Sequence, residues 1–151
     1  MSISWSRVGT MALKIDLKKA YDYFEWLFIR HTLQFFHFPP SWIDFIMSCI
    51  SSSSLEILVN TERLEDFSPS RGIRQGDPLS LYIFILCIEY LAYLIRDEAD
   101  KGNWMGVKTS RDGPSFTHLF FADDVILFAK ATKKNFTTIN QVLDAFCSAS
   151  D

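Results

Sequence analysis

Two adjacent carboxylates sit inside an apolar run, Phe120-Phe121-Ala122-Asp123-Asp124-Val125-Ile126-Leu127-Phe128. Few backbone arrangements tolerate that. An ionised carboxylate taken out of water costs more than one hydrogen bond returns, so such a group is paired or bound to a metal. Neighbouring carboxylates also repel, and a cation between them relieves the repulsion. Leu119 to Phe121 and Val125 to Phe128 are rich in β-formers and predict two short buried strands, with the acidic pair at a hairpin tip. A polar turn whose Asp side chains face water is the plainer alternative. The apolar flanks favour a divalent-metal site, which needs a third acidic ligand from elsewhere in the chain.

Met11-Ala12-Leu13-Lys14-Ile15-Asp16 offers that ligand. The segment alternates as a strand, with Met11, Leu13 and Ile15 on one face and Ala12, Lys14 and Asp16 on the other. Asp16 then closes a buried strand, or it caps the helix that follows. Residues 1–10 have no periodicity and are expected to be a leader or the stub of something upstream. Lys18 to Phe38 predicts a helical region with Phe24, Leu27, Phe28 and His31 in phase. Pro39-Pro40 ends it and opens a second helix, whose apolar stripe is expected at Trp42, Phe45, Ile46, Cys49 and Ile50. Leu55–Asn60 and Leu64–Phe67 are expected to pair as a hairpin across Thr61-Glu62-Arg63.

The loop from Ser68 to Ser80 is the most unusual in the chain. Gly72 and Gly76 permit positive φ or close backbone approach. Arg71 and Arg74 bring fixed positive charge suited to a phosphate, although a plain connection with solvated arginines has the same composition. Asp77-Pro78 reads as N-cap and first turn of a long helix to about Lys101, with Leu79, Ile83, Leu86, Tyr90 and Leu94 on one side and Gly102 as its stop. Met105–Thr109 and Phe116–Phe121 predict strands, with His118 pointing outward and without a partner. A last helix carries Phe136, Ile139, Leu143 and Phe146 in phase, capped by Thr132 or Asn135. Strands mixed with helices and hairpins predict an α+β fold, an antiparallel sheet with helices packed on one face.

Composition bears on the partners. The 151 residues suffice for one domain, and 48% hydrophobic content describes a globular chain. A net charge of −3 argues, taken alone, against nucleic acid. Two divalent cations change that balance, because −3 plus +4 gives +1, and Lys14, Lys18, Lys19, Arg71, Arg74, Lys130, Lys133 and Lys134 flank the same motifs. The three cysteines have no metal-ligand spacing and predict a reducing, intracellular setting. No secretory leader is evident at the N-terminus. The apolar stretch from Leu81 to Ile95 is interrupted by Glu89 and is expected to be too short to span a membrane.

Oxygen-only ligands at Asp16, Asp123 and Asp124 favour a hard cation such as Mg²⁺. Two such ions about 4 Å apart serve phosphoryl transfer. Leu13-Lys14-Ile15-Asp16-Leu17-Lys18-Lys19-Ala20-Tyr21-Asp22, Arg71-Gly72-Ile73-Arg74-Gln75-Gly76-Asp77-Pro78-Leu79-Ser80 and Phe121-Ala122-Asp123-Asp124 occur in one order along the chain. In wording and order they resemble reverse transcriptases, RNA-directed DNA polymerases, and in particular those of plant non-LTR retrotransposons. The resemblance covers about residues 11 to 149 and implies a polymerase right-hand palm over residues 11–151, truncated, with fingers and thumb missing as segments of a larger polyprotein. It implies that Asp16, Asp123 and Asp124 are catalytic and, with the Leu17 carbonyl, hold two Mg²⁺ ions, Mn²⁺ being the alternative. It further implies that Tyr21 lies against the nucleotide sugar, that Gln75 and Gly76 pack on the incoming nucleotide and template, and that Arg74 belongs to the same substrate loop. The implied partners are an RNA template, a DNA primer and dNTP, with no membrane, and a nuclear location follows from the family alone. An inactive retrotransposon remnant and a non-catalytic nucleic-acid-binding module are the competing readings. Leu81 departs from the family's usual Pro, and Asp151 from its usual Gly.

Overall fold

The computed structural model describes residues 9–17, 20–52, 58–59, 62–63, 68–110, 112–122 and 124–150. In chain order the elements are β1 (Thr10–Asp16), α1 (Ala20–Tyr23), α2 (Trp26–Phe35), α3 (Pro40–Ser51), β2 (Leu58–Val59), β3 (Glu62–Arg63), α4 (Pro78–Asp100), β4 (Val107–Lys108), β5 (Ser115–Phe116), β6 (His118–Phe121), β7 (Asp124–Lys130) and α5 (Lys133–Ser150). Two compact units divide the chain. One takes residues 1–18 and 90–147, the other residues 19–89 and 148–151. Mixed helices and antiparallel sheet give the expected α+β class.

The first unit is built on an antiparallel sheet in the order β1-β7-β6. Register sets its two faces, because residues opposite each other share a side. Met11, Leu13 and Ile15 stand opposite Ala129, Leu127 and Val125. The three β7 members of that set are buried, and so are Leu91, Ile95, Ile139, Val142 and Phe146 from α4 and α5. On the other face Thr10, Ala12, Lys14 and Asp16 stand opposite Lys130, Phe128, Ile126 and Asp124. The expectation that both hairpin arms are buried therefore holds for one face only. Leu119 and Phe121 of β6 share the open side, and Phe121 is 77% exposed.

Hydrogen bonds fasten β7 at its far end. Asn135 is wholly buried, receives the Met105 N–H at Oδ1 (2.9 Å), and donates from Nδ2 to the carbonyls of Lys130 (2.8 Å) and Met105 (3.2 Å). Trp104, also buried, donates Nε1–H to the Phe128 carbonyl at 3.0 Å. Thr132 is the cap of α5, accepting the Asn135 N–H at 3.2 Å, which leaves Asn135 for this clamp. His118 corrects the expectation of an outward, partnerless ring. It lies 2.9 Å from Thr117 Oγ1 and packs on Phe120, centroids 4.8 Å apart, on the face opposite Leu119.

In the second unit the helix expected over Lys18–Phe38 is broken between α1 and α2. The loop after Ser68 takes the carbonyls that would have continued it. Ile73 N–H donates to Tyr21 O (2.6 Å) and Gly72 N–H to Phe24 O (2.8 Å), while Glu25 N–H turns to Ser150 O. Buried residues are Phe24, Phe28, Ile29, Thr32 and Leu33, with Leu27 and His31 outside. In α3 the stripe is likewise displaced by one residue, to Ile43, Ile46, Met47 and Ile50. Trp42 and Phe45 are instead exposed and pair edge to face at 6.3 Å. Aromatic residues mark the stripe poorly because size and hydrophobicity do not fix which face meets a partner. The hairpin expected across residues 61–63 is pulled back, since β2 pairs with β3 at Leu58↔Arg63 and Val59↔Glu62. The rest of that prediction lies outside the described residues.

Helix α4 starts and stops as read. Leu79 N–H donates to Asp77 Oδ1 at 2.9 Å, the N-cap bond, and Gly102 ends the helix at φ +73°. Its 23 residues, with mean hydropathy 1.9 over the most apolar window, are long and apolar enough to cross a membrane, which corrects the expectation that this stretch is too short. Ile83, Phe84, Cys87, Ile88, Leu91, Ala92 and Ile95 are nonetheless buried, as in the core helix of a folded domain. That set replaces most of the expected side of Leu79, Leu86, Tyr90 and Leu94, which are only half-buried. Burial pushes the Cys87 thiol up to about 12, against a weaker opposing bond from Thr32.

Candidate active site

The strand register brings two of the predicted carboxylates together. Asp16 is the last residue of β1 and Asp124 the first of β7, and they are direct partners on the open face. Directly opposed side chains in an antiparallel pair have Cβ atoms about 5 Å apart, so two like charges there repel. Lys14, two residues before Asp16 and on the same face, reaches diagonally past its own partner Ile126. Its Nζ lies 2.9 Å from Asp124 Oδ2.

Asp123 lies outside the described residues. On either side of it, Phe121 and Asp124 are register partners. Ala122 holds φ at +53°. A residue with a side chain holds such an angle at a cost of about 1–2 kcal/mol. Leu17, the remaining predicted ligand, follows β1 directly and is half-buried.

Whether a hard cation suits this pair is answered by its donors. Two carboxylates share one side of adjacent strand ends, open to solvent, and a side-chain cation is already drawn to one of them. Oxygen-only donors of this kind fit Mg²⁺ or Mn²⁺. Among the described residues no group of three or more His, Cys, Asp or Glu gathers, so the third predicted ligand rests on Asp123 alone. A groove of about 720 Å³ opens at the far end of β7, lined by Thr10, Arg96, Met105, Lys108, Thr117 and Lys130 among others. It is remote from the carboxylates along the strand.

Of the predicted substrate residues, Leu17 belongs to the first unit and Tyr21, Arg74, Gln75 and Gly76 to the second, where the loop is fastened beside Tyr21. Tyr21 stacks on Phe84 of α4 with centroids 4.8 Å apart and planes within 10°. The loop bearing Arg74, Gln75 and Gly76 is tied down by the two backbone bonds to Tyr21 and Phe24 and by Trp26 Nε1–H donating to Gly72 O at 2.9 Å. Gly72, at φ +80°, is required here because an added Cβ would meet Asp22 O at 2.8 Å. Gln75 Nε2 reaches Asp22 Oδ1 at 3.5 Å, and Gly76 sits at φ +89° with open space around it. Arg74 is exposed, whereas Arg71 is engaged by Glu25 at 3.8 Å and lies over the Tyr23 ring. Sequence reasoning missed Lys14 as a partner of Asp124, and Trp26 and Phe84 as supports. A basic residue on the acidic face of β1 was the available signal for Lys14; nothing local marked the other two.

The first unit thus carries the paired carboxylates, and the second carries the glycine-bearing loop and the stacked tyrosine. Residues 4–151 match the family described as Reverse transcriptase (RNA-dependent DNA polymerase), and the chain belongs to that family. It is 53% identical over 57 residues to an uncharacterized mitochondrial protein of Arabidopsis thaliana, covering 38% of this chain and 47% of that one. It is 28% identical over 131 residues, 86% of this chain, to a retrovirus-related Pol polyprotein from a type-2 retrotransposable element of Drosophila melanogaster. It is 32% identical over 116 residues, 77% of this chain, to one from a type-1 element of Nasonia vitripennis. The chain spans under half the length of each, 12% and 10% of the two polyproteins. The resemblance to retrotransposon reverse transcriptases read from the motifs is borne out, and the enzyme class by family is RNA-directed DNA polymerase.

Proposed function

We propose that this chain is the palm portion, residues 11–151, of a reverse transcriptase that adds nucleotides from dNTP to a primer 3′-OH on an RNA template. The observation that carries the reading is the register pairing of Asp16 with Asp124 on the open face of the sheet, with Asp123 next to it in the chain. Asp16, Asp123, Asp124 and the Leu17 carbonyl would hold two Mg²⁺ ions. When bound, these would activate the attacking oxygen and steady the leaving one. The chain's own residues do the rest. The carboxylates fix where cations sit, Tyr21 offers a flat ring to a sugar, and Gln75 and Gly76 offer a backbone that a nucleotide can approach closely. Positioning supplies much of the catalysis in phosphoryl transfer, so the segments that its longer relatives carry would complete the substrate grip. We place the protein inside the cell.

Primer extension tests this. With Mg²⁺, dNTP and a DNA primer on an RNA template, the chain is expected to extend the primer, and Asp16→Asn or Asp123→Ala to abolish extension. A folded chain that extends nothing would instead mark a catalytically silent remnant. Salt-dependent binding to primer–template without extension would mark a non-catalytic nucleic-acid-binding module.

A further inference from the structure

Lys14 has a role that the metal ligands do not account for. Strand alternation puts it on the open face with Asp16, and the register gives it Ile126 as its cross-strand partner. A lysine there could extend straight into solvent and would lose less side-chain entropy by doing so. It instead leans toward the strand end and places Nζ 2.9 Å from Asp124 Oδ2, with its side chain still 65% exposed and that of Asp124 34%. That carboxylate also faces Asp16 across the strands. An ammonium at this point offsets the repulsion of the opposed pair.

We propose that Lys14 is a tethered counter-cation that competes with the divalent metal for Asp124 and thereby sets how tightly the site takes its metal. This rests on the reading of Asp16 and Asp124 as metal ligands. The physics is simple. A metal ion entering the pair meets a fixed positive charge about 3 Å from one of its own ligands, and like charges at that range cost the incoming ion affinity. Metal binding must therefore release the Lys14 ammonium from Asp124. Lys14 is a positioning residue: in the metal-free chain it holds the Asp124 carboxylate in place, and it weakens the site toward adventitious cations.

The test is Mn²⁺ titration of the whole chain, followed by loss of the free aqua-ion signal in electron paramagnetic resonance. Lys14→Met, which keeps length and removes charge, is expected to bind Mn²⁺ roughly three- to tenfold more tightly than the wild type, the size of one exposed charge at this distance. Lys14→Arg, which keeps the charge, is expected to stay within about twofold of wild type. In EDTA, Lys14→Met should melt below Lys14→Arg, and Mn²⁺ should close that gap. Equal or weaker Mn²⁺ binding in Lys14→Met overturns the role of Lys14 while leaving the carboxylate pair as the metal site. Undiminished binding in an Asp16→Asn/Asp124→Asn variant, or none in the wild type, overturns the site itself and the role of Lys14 with it.

Discussion

The two ends of β7 are made of the same strand and serve opposite purposes. At the Lys130 end, Asn135 and Trp104 reach in from buried positions and leave the strand's carbonyls paired. At the Asp124 end, two carboxylates face each other, Ala122 is held at positive φ, and Phe121 stands in solvent. One end is satisfied in every bond named here. The other keeps repulsion, strain and exposed apolar surface, the features that a ligand can relieve. The sheet thus holds its strained end in place by over-determining the opposite one.

Substitutions that sharpen this contrast differ in size and in sign. Leu127, fully buried midway along β7, ties both ends to the core; Leu127→Ala is expected to cost about 3 kcal/mol in urea unfolding. Asn135→Ala strips the clamp and leaves the Met105 N–H and the Lys130 carbonyl without their side-chain partner. A loss of about 2 kcal/mol is expected, read as a lower melting temperature. At the Asp124 end the sign reverses. Ala122→Gly relieves the positive φ and is expected to stabilise by about 0.5 kcal/mol, once the extra freedom of glycine in the unfolded chain is subtracted. Asp16→Asn should raise the melting point slightly at low ionic strength, with the gain fading in high salt. If Ala122→Gly and Asp16→Asn destabilise as Asn135→Ala does, the two ends are alike and the contrast is wrong.

Much of this was legible in the sequence, for reasons that can be named. Alternation over residues 11–16 gave β1 and its faces, and the apolar flanks of the acidic pair gave the hairpin. Asp77-Pro78 and Gly102 gave both ends of α4, because caps act through bonds within a few residues. The helix stripes were less legible. Trp42, Phe45 and Phe136 look like core and are exposed, while Ile43 and Asn135 are buried. The break between α1 and α2 could not be foreseen locally, since the amides that cause it belong to Gly72 and Ile73, about fifty positions on. Of the site, the acids and the tyrosine were legible as motifs. Lys14 against Asp124 was not, because that contact depends on the register of two strands more than a hundred residues apart in the chain.

Paramagnetic broadening of backbone amides by Mn²⁺ tests the central claim most directly, and at 17.4 kDa the chain suits heteronuclear NMR. Substoichiometric Mn²⁺ should broaden Asp16, Leu17, Asp124 and Val125 first, leave Met105 and Lys130 sharp, and do neither after Asp16→Asn/Asp124→Asn. Broadening centred on the Lys130 end, or unchanged in that double variant, would contradict the assignment of the metal site to the paired carboxylates.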